Sequence, residues 1–145
     1  MSDVLNLSQV KVPGTARTKD DAIREAGAIL VDAGAVTPDY IDAMFEREKT
    51  VSTYMGNYLA IPHGTNESKD AIKRSALSVI RYDQPIDWDG NDVRFAMGIA
   101  GYQGGHMDIL SSVAILFSDT DEVDKLLAAE SAEELFELLN AVNEE

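Results

Sequence analysis

The order of the patterns in this sequence predicts an α/β domain with three layers, in which a mixed β-sheet carries helices on both faces. Amphipathic helical patterns fill the first third of the chain, strand patterns occupy the middle, and helical patterns return after residue 105. At 145 residues with 45% hydrophobic side chains, the chain is long enough to bury one core, and no repeat or linker divides it. We therefore expect a single domain over residues 1–145.

Two helices are predicted before the first strand. The first begins after the capping hydroxyl of Thr18, carries acids in its first turn and ends at Gly34. The second opens at Thr37-Pro38, with proline at the first helical position, and ends near Lys49. The side chains expected to face the core are Ile23, Ala26, Leu30 and Ala33 in the first helix, and Ile41, Met44 and Phe45 in the second.

Three segments in the middle of the chain have the character of strands. Residues 58–61 form a short apolar run, residues 76–82 are apolar on both faces, and residues 93–100 follow a turn at Asp89-Gly90. A short helical turn is expected at residues 69–73. The last strand alternates a large-residue face with a small-residue face, Val93, Phe95, Met97 and Ile99 against Arg94, Ala96, Gly98 and Ala100. We therefore expect a helix to pack closely on the small face.

Three helices are predicted to complete the chain. The first covers residues 106–117, and the last opens with the capping box Ser131–Glu134. The buried stripe of the first is expected to be Ile109, Leu110, Val113, Leu116 and Phe117, and that of the last Leu135, Leu138, Leu139 and Val142.

The charge and composition exclude several classes of function. A formal net charge of −14 repels polyanions, so nucleic acid and anionic membrane surfaces are poor partners, whereas a basic protein fits better. Solubility alone also explains such acidity, and a salt titration of the association rate would separate the two explanations. The chain has no cysteine, no apolar run long enough to span a bilayer and no signal-peptide pattern at its start. We therefore expect a cytoplasmic protein with no direct membrane insertion.

The best functional clue is the tetrapeptide Ile61-Pro62-His63-Gly64. Proline restricts its own φ and keeps Ile61 extended, while Gly64 permits a positive φ, so His63 is held in a defined turn at the end of a strand. An imidazole is a neutral nucleophile near pH 7 and a good leaving group once it is phosphorylated. Taken alone, these four residues fit a loop histidine without function better than a reactive one.

Three further parts of the chain extend this signal. Residues 43–49 precede the segment Tyr54–Thr65, and Gly98–Gly101 with Gly105-His106 follow it. In this order they resemble the arginine-bearing, phosphorylation-site and second-histidine segments of the mannitol-specific enzyme IIA component, in the fructose/mannitol-type EIIA family of the bacterial phosphoenolpyruvate-dependent sugar phosphotransferase system. The Pro-His-Gly core is shared with fructose-type and nitrogen-regulatory relatives, whereas Thr65 and the Tyr-Met-Gly-Asn lead-in favour the mannitol branch.

This resemblance implies a phosphocarrier, a phosphotransferase component with a phosphohistidine intermediate. His63 would accept a phosphoryl group at Nε2 from phospho-HPr and pass it to the mannitol EIIB or EIICB component for mannitol uptake and phosphorylation, and no cofactor is implied. One alternative is a regulatory EIIA-like phosphoprotein, of nitrogen or fructose type, that acts by binding other proteins. Another is a structural adapter, for which His63→Ala would change neither phosphate uptake nor transport.

Two side chains are candidates for stabilising the phosphoryl group. The resemblance implies that His106 donates a hydrogen bond to this group or to the His63 site, and that Arg47 binds its oxygens with the guanidinium fork. Without the resemblance, His106 would be a packed core residue and Arg47 a solvated cation at a helix end.

Three residues of the phosphorylation-site segment are candidates for supporting roles. Gly64 frees the turn, and Thr65 either donates its hydroxyl to the phosphoryl group or caps the turn. Asn57 stands where some relatives carry an acid, so only hydrogen bonding or turn shaping is expected of it. Transfer between two imidazoles also needs a dry rim, for which the candidates, unless they belong to the core, are Tyr54, Met55, Tyr58 and Leu59.

A metal site is a further interpretation. His63, His106 and Asp108 could act as ligands, but their spacing is not that of a helical zinc motif. Residues 87–92 carry alternating carboxylates, but Asp92 stands where a calcium loop needs glycine. We therefore expect no metal, and an elemental analysis that found a stoichiometric ion would contradict this.

Overall fold

The computed structural model describes residues 5–50, 52–64, 70–102 and 106–139, without the side chains of residues 106–108. Its strands are β1 (Val10–Lys11), β2 (Tyr54–Gly56), β3 (Leu59–Ala60), β4 (Ala76–Trp88) and β5 (Asn91–Ala100). Its α-helices are α1 (Lys19–Asp32), α2 (Asp39–Thr50), α3 (His106–Phe117), α4 (Thr120–Ala128) and α5 (Ala132–Leu139).

The sheet is mixed and has the strand order β1-β4-β5-β3-β2. Its centre is the antiparallel hairpin of β4 and β5, which turns through Asp89 and Gly90 with φ values of 56° and 92°. β1 runs parallel to β4 and β3 runs parallel to β5, whereas β2 is antiparallel to β3. The predicted fold class and the predicted turn are confirmed.

Two apolar cores lie on opposite faces of the sheet. Side chains of α1 and α2 pack on one face, and those of α3, α4 and α5 pack on the other. The first core is therefore built on small residues of β5 such as Ala96 and Ala100, and the second on large ones such as Phe95 and Met97. From Phe95 onwards, the alternation of large and small residues along β5 thus gives the molecule its three layers. Val93, predicted on the large-residue face, packs instead in the core of α1 and α2, because the strand is irregular where the Arg94 and Phe95 N–H groups both bond to the Tyr58 carbonyl.

Close packing of a helix on the small face is also confirmed. Ser78 Oγ donates a hydrogen bond to the Ala26 carbonyl of α1 (2.9 Å) and accepts one from the Gly98 N–H (3.1 Å). A Cβ added to Gly98 would lie 2.6 Å from Ser78 Oγ and 3.3 Å from the Ala26 carbonyl oxygen. Glycine is required here because the backbones of helix and sheet approach so closely.

Most helix boundaries follow the predicted caps. The Thr18 and Ser131 hydroxyls accept hydrogen bonds from the N–H groups of Asp21 (3.2 Å) and Glu134 (3.1 Å). In α2 the buried apolar residues are Tyr40 and Met44, while the predicted Ile41 and Phe45 are only partly buried, as is Ala33 after α1. Val142 and residue 69 are outside the described residues. In the rest of the turn predicted at residues 69–73, Asp70 and Ala71 form a short 3₁₀ turn, and Ile72 pairs with Val36 in an isolated bridge.

The prediction that ended the strand from Ala76 at Tyr82 was too short, because β4 continues to Trp88. The strand register shifts between Arg81 and Ile86, so Pro85 falls where the ladder is irregular and needs no hydrogen bond. The strand then resumes because Ile86 and Trp88 are buried.

The buried guanidinium of Arg81 caps the C-terminal end of α4. The Arg81 Nη1 donates hydrogen bonds to the carbonyls of Leu126, Leu127 and Ala129. Burial lowers the pKa of this guanidinium. The carbonyl oxygens at a helix C-terminus carry partial negative charge and so offset the cost of burying it.

Glu25 of α1 should make folding sensitive to acid. Its carboxylate pairs with Lys11 (2.7 Å) and accepts hydrogen bonds from the Thr15 N–H (3.0 Å) and the Tyr82 hydroxyl (2.7 Å). Burial by itself would raise the pKa of Glu25, but these partners lower it from 4.5 to about 2. A lowered folded-state pKa stabilises the fold above the unfolded value, and this contribution is lost as the pH falls from about 4.5 to about 2.

We therefore expect Glu25→Gln to flatten the decline in the free energy of unfolding over this pH range, as measured by urea denaturation. Glu46→Gln, which changes an exposed carboxylate, is the control. Equal declines in the wild type and Glu25→Gln would contradict the assignment.

Candidate functional site

His63 lies beyond the end of β3, beside the C-terminal end of β5. The Ile99 N–H donates a hydrogen bond to the Pro62 carbonyl (3.1 Å), so His63 and Ile99 form an isolated parallel bridge. The His63 Nδ1 lies 2.7 Å from the Ile61 carbonyl oxygen. A carbonyl oxygen can only accept, so Nδ1 must carry the proton and Nε2 the lone pair. In its neutral form, the half-buried ring is therefore held as the tautomer with the lone pair on Nε2.

The carbonyl that fixes the ring is itself anchored. The Ile61 N–H donates to the Thr53 carbonyl (3.0 Å). Thr53 is buried, and both its N–H (2.9 Å) and its hydroxyl (2.6 Å) donate to the carboxylate of Glu48. A chain of hydrogen bonds thus leads from α2 to the imidazole of His63.

Glu48 is the polar anchor beneath this segment. Its side chain at the end of α2 is buried, and it also accepts a hydrogen bond from the Trp88 Nε1–H (3.1 Å). Lys19 lies 3.5 Å from the carboxylate and places its ammonium over the Trp88 ring, 5.8 Å from the centroid. Four donor groups, from α1, β4 and the loop before β2, therefore converge on one carboxylate that the sequence did not reveal.

Tyr40 holds the other side of the turn. Its hydroxyl accepts a hydrogen bond from the Gly64 N–H (2.9 Å) and donates one to the Ile99 carbonyl (2.6 Å). Burial raises the pKa of this phenol, although the Gly64 N–H acts in the opposite sense. The phenol therefore stays neutral at physiological pH and can donate and accept at once.

Arg47 and His106 lie on helices in different layers of the fold. Arg47 is half-buried on α2, seven residues after Tyr40 and therefore on the same helix face, about 10 Å further along the axis. α3 begins at His106 and ends at Phe117. The Phe117 carbonyl accepts a hydrogen bond from the Asn57 side chain (2.7 Å), so this end of α3 lies beside the turn that precedes β3. α3 begins six residues after β5 ends at Ala100, and His63 lies beside that end of β5. The His106 side chain and Thr65 are outside the described residues.

Asn57 is placed away from His63. It lies in a turn with Tyr58, and the two residues have φ values of 51° and 69°. Leu59 pairs with Phe95, and His63 pairs with Ile99, four positions further along β5. Leu59, which follows the turn, is therefore about 13 Å from His63 along the strand. The bond from the Asn57 amide to the end of α3 favours the turn-shaping interpretation over a role beside the ring.

The candidates for an apolar rim divide into two groups. Leu59 is fully buried and Tyr54 packs against the core beneath α1 and α2. Met55 and Tyr58 are exposed, but Tyr58 belongs to the distant turn. Only Met55 therefore remains a candidate for the rim.

The metal hypothesis depends on the side chains of His106 and Asp108, which are outside the described residues.

None of the helices in the described part of the chain is long and apolar enough to cross a bilayer.

The chain is similar to known proteins over nearly its whole length. The chain matches the family described as "Phosphoenolpyruvate-dependent sugar phosphotransferase system, EIIA 2" over residues 3–142. It is 51% identical over 141 residues to the mannitol-specific phosphotransferase enzyme IIA component of Halalkalibacterium halodurans, with 97% of each chain covered.

Solved structures show the same similarity. A complex of enzyme IIAMTL and phosphorylated enzyme IIBMTL from Escherichia coli matches with a TM-score of 0.88 and 31% identity, over 94% of this chain and 97% of that one. The nitrogen regulatory protein IIA-Ntr from Neisseria meningitidis matches with a TM-score of 0.82 and 29% identity, over 94% and 96%. The chain therefore belongs to the EIIA 2 family of the phosphoenolpyruvate-dependent sugar phosphotransferase system.

Proposed function

We propose that residues 1–145 form one EIIA domain, a cytoplasmic phosphocarrier for mannitol in which the Nε2 of His63 accepts a phosphoryl group from phospho-HPr and passes it to an EIIB component. The observation that carries this is the 2.7 Å hydrogen bond from His63 Nδ1 to the Ile61 carbonyl. It selects the nucleophilic nitrogen before any substrate arrives. The mannitol assignment is supported by the names of the relative and of the solved complex.

The fixed tautomer makes both transfers simple. In the first, the P–N bond to the donor imidazole breaks as the P–Nε2 bond forms, and the donor nitrogen recovers its lone pair. Nδ1 of His63 keeps its proton throughout, so the phosphorylated ring is cationic and readily leaves in the second transfer. Neither transfer requires a net movement of a proton on His63.

The remaining task is to bind the phosphoryl oxygens. We propose Arg47 for this role, since a guanidinium binds two oxygens at once and stays charged, with His106 and the Thr65 hydroxyl as further donors. Gly64 supports the turn without touching the phosphoryl group, because its N–H is engaged by Tyr40.

Reconstitution tests the proposal. Phosphoenolpyruvate carrying labelled phosphate, enzyme I, HPr, this chain and a mannitol-type EIIB domain should move label through His63 to EIIB. The similarity to IIA-Ntr favours one second candidate, a regulatory phosphoprotein. Label that reached His63 but never EIIB would support that candidate, and a chain that took no label would contradict both.

We expect Arg47→Lys to slow transfer from phospho-HPr by about 10- to 100-fold, because an ammonium cannot replace the planar fork. Single-turnover quench kinetics would measure this. Lys49→Ala, which changes an exposed cation on the same helix turn, is the matched control. A rate of Arg47→Lys equal to that of the wild type would exclude bidentate binding by Arg47.

A further inference from the structure

The Tyr40 hydroxyl lies between two backbone groups that would bond directly to each other in a regular parallel sheet. After the bond from the Ile99 N–H to the Pro62 carbonyl, the next bond of such a ladder would run from the Gly64 N–H to the Ile99 carbonyl. Here the Tyr40 hydroxyl bonds to both groups, at 2.9 Å and 2.6 Å. The hydroxyl is therefore inserted between the turn and β5.

This insertion fixes the backbone on the C-terminal side of His63. On the N-terminal side, the carbonyls of Ile61 and Pro62 are already bound to the His63 Nδ1 and the Ile99 N–H. The ring thus lies between two anchors, and α2 supplies the second through a side chain that is only 2% exposed. A direct ladder bond would draw Gly64 towards β5, since backbone donor and acceptor would then be about 2.9 Å apart.

We propose that Tyr40 is a positioning residue for phosphoryl transfer, whose hydroxyl sets where the His63 ring stands relative to the incoming phosphorus. This rests on the proposed function, in which His63 Nε2 is the nucleophile. In-line transfer needs the nucleophile placed to a fraction of an ångström, and a displacement of about 1 Å can cost about 100-fold in rate. Tyr40 does not touch the phosphoryl group and acts through the turn.

The test is Tyr40→Phe, which removes the inserted oxygen and keeps the ring. Gly64 can then bond directly to Ile99, so we expect the chain to fold while the maximal rate of transfer from phospho-HPr falls about 10- to 100-fold. The KM for phospho-HPr should change less than about twofold, because the docking surface is untouched. The ¹⁵N resonances of the His63 ring should shift in the same variant.

Tyr82→Phe is the matched control, because it also removes a buried hydroxyl that donates to another residue, Glu25, away from the turn. It should lower stability and leave the maximal rate unchanged. A folded Tyr40→Phe with the wild-type maximal rate and ring resonances would overturn the proposal.

A second variant covers the case in which Tyr40→Phe does not fold. A fluorinated tyrosine with a more acidic phenol at position 40 keeps the shape but loses its donor proton as the pH rises. Its maximal rate should fall as ¹⁹F NMR shows the phenol to ionise, whereas a rate that stays unchanged across that ionisation would overturn the proposal. Label that persists after His63→Gln would instead contradict the proposed function, so the two failures are distinguishable.

Discussion

His63→Gln is expected to abolish phosphoryl acceptance. The amide nitrogen of glutamine has no nucleophilic lone pair, although it can still donate to the Ile61 carbonyl that now fixes the ring. The variant should therefore fold, while labelling from phosphoenolpyruvate through HPr falls by at least about 10⁴-fold, as when other enzymes lose their nucleophile. The measurement is the amount of acid-labile phosphate label bound to the chain while HPr is kept fully phosphorylated.

Circular dichroism and urea denaturation of His63→Gln provide the control, since a folded chain that takes no label isolates the chemical role of the ring. Label of undiminished stoichiometry in this variant would place the nucleophile elsewhere. Label that is acquired slowly would show that the ring assists transfer without forming the P–N bond.

Glu48→Gln is expected to have the largest effect on stability. The carboxylate accepts from the N–H and hydroxyl of Thr53 and from the Trp88 Nε1–H, and it lies 3.5 Å from Lys19. An amide would turn one acceptor into a donor that faces other donors, inside a site where Glu48 is 7% exposed. Breaking such a buried charged network costs about 3–5 kcal/mol, to be measured as the loss in the free energy of unfolding in urea.

Glu46→Gln is the matched control, since Glu46 lies two residues earlier on α2 with an exposed side chain and should cost less than about 0.5 kcal/mol. Because Thr53 anchors Ile61, the same loss at Glu48 should also slow phosphoryl transfer in the fraction that remains folded. A Glu48→Gln variant as stable as Glu46→Gln would show that the network is not a source of stability.

The fold was predictable because it follows from periodicity. Alternation along β5 and the caps at Thr18 and Ser131 are local patterns, and local patterns determine element type and layer. The end of β4 was not predictable in the same way. The register shift that accommodates Pro85 depends on the pairing of β4 with β5, a contact between residues that are distant along the chain.

The candidate site was predictable only in part. Resemblance pointed to His63, and the location of its ring at the end of β3 agrees with that hypothesis. Glu48 stands among charged neighbours and resembles a solvated helix end, but the packing of α2 against Trp88 buries it. Tyr40 has no local signal at all, because its two partners lie 24 and 59 positions away.

The position of Trp88 has a practical consequence. It is the only tryptophan in the sequence, it is fully buried, and its indole N–H is bonded to the carboxylate that anchors the segment leading to His63. Indole emission depends on hydrogen bonding and on exposure to water. Intrinsic fluorescence of the unlabelled protein should therefore report directly, and from one chromophore, whether the hydrogen bonds that anchor the segment leading to His63 are intact.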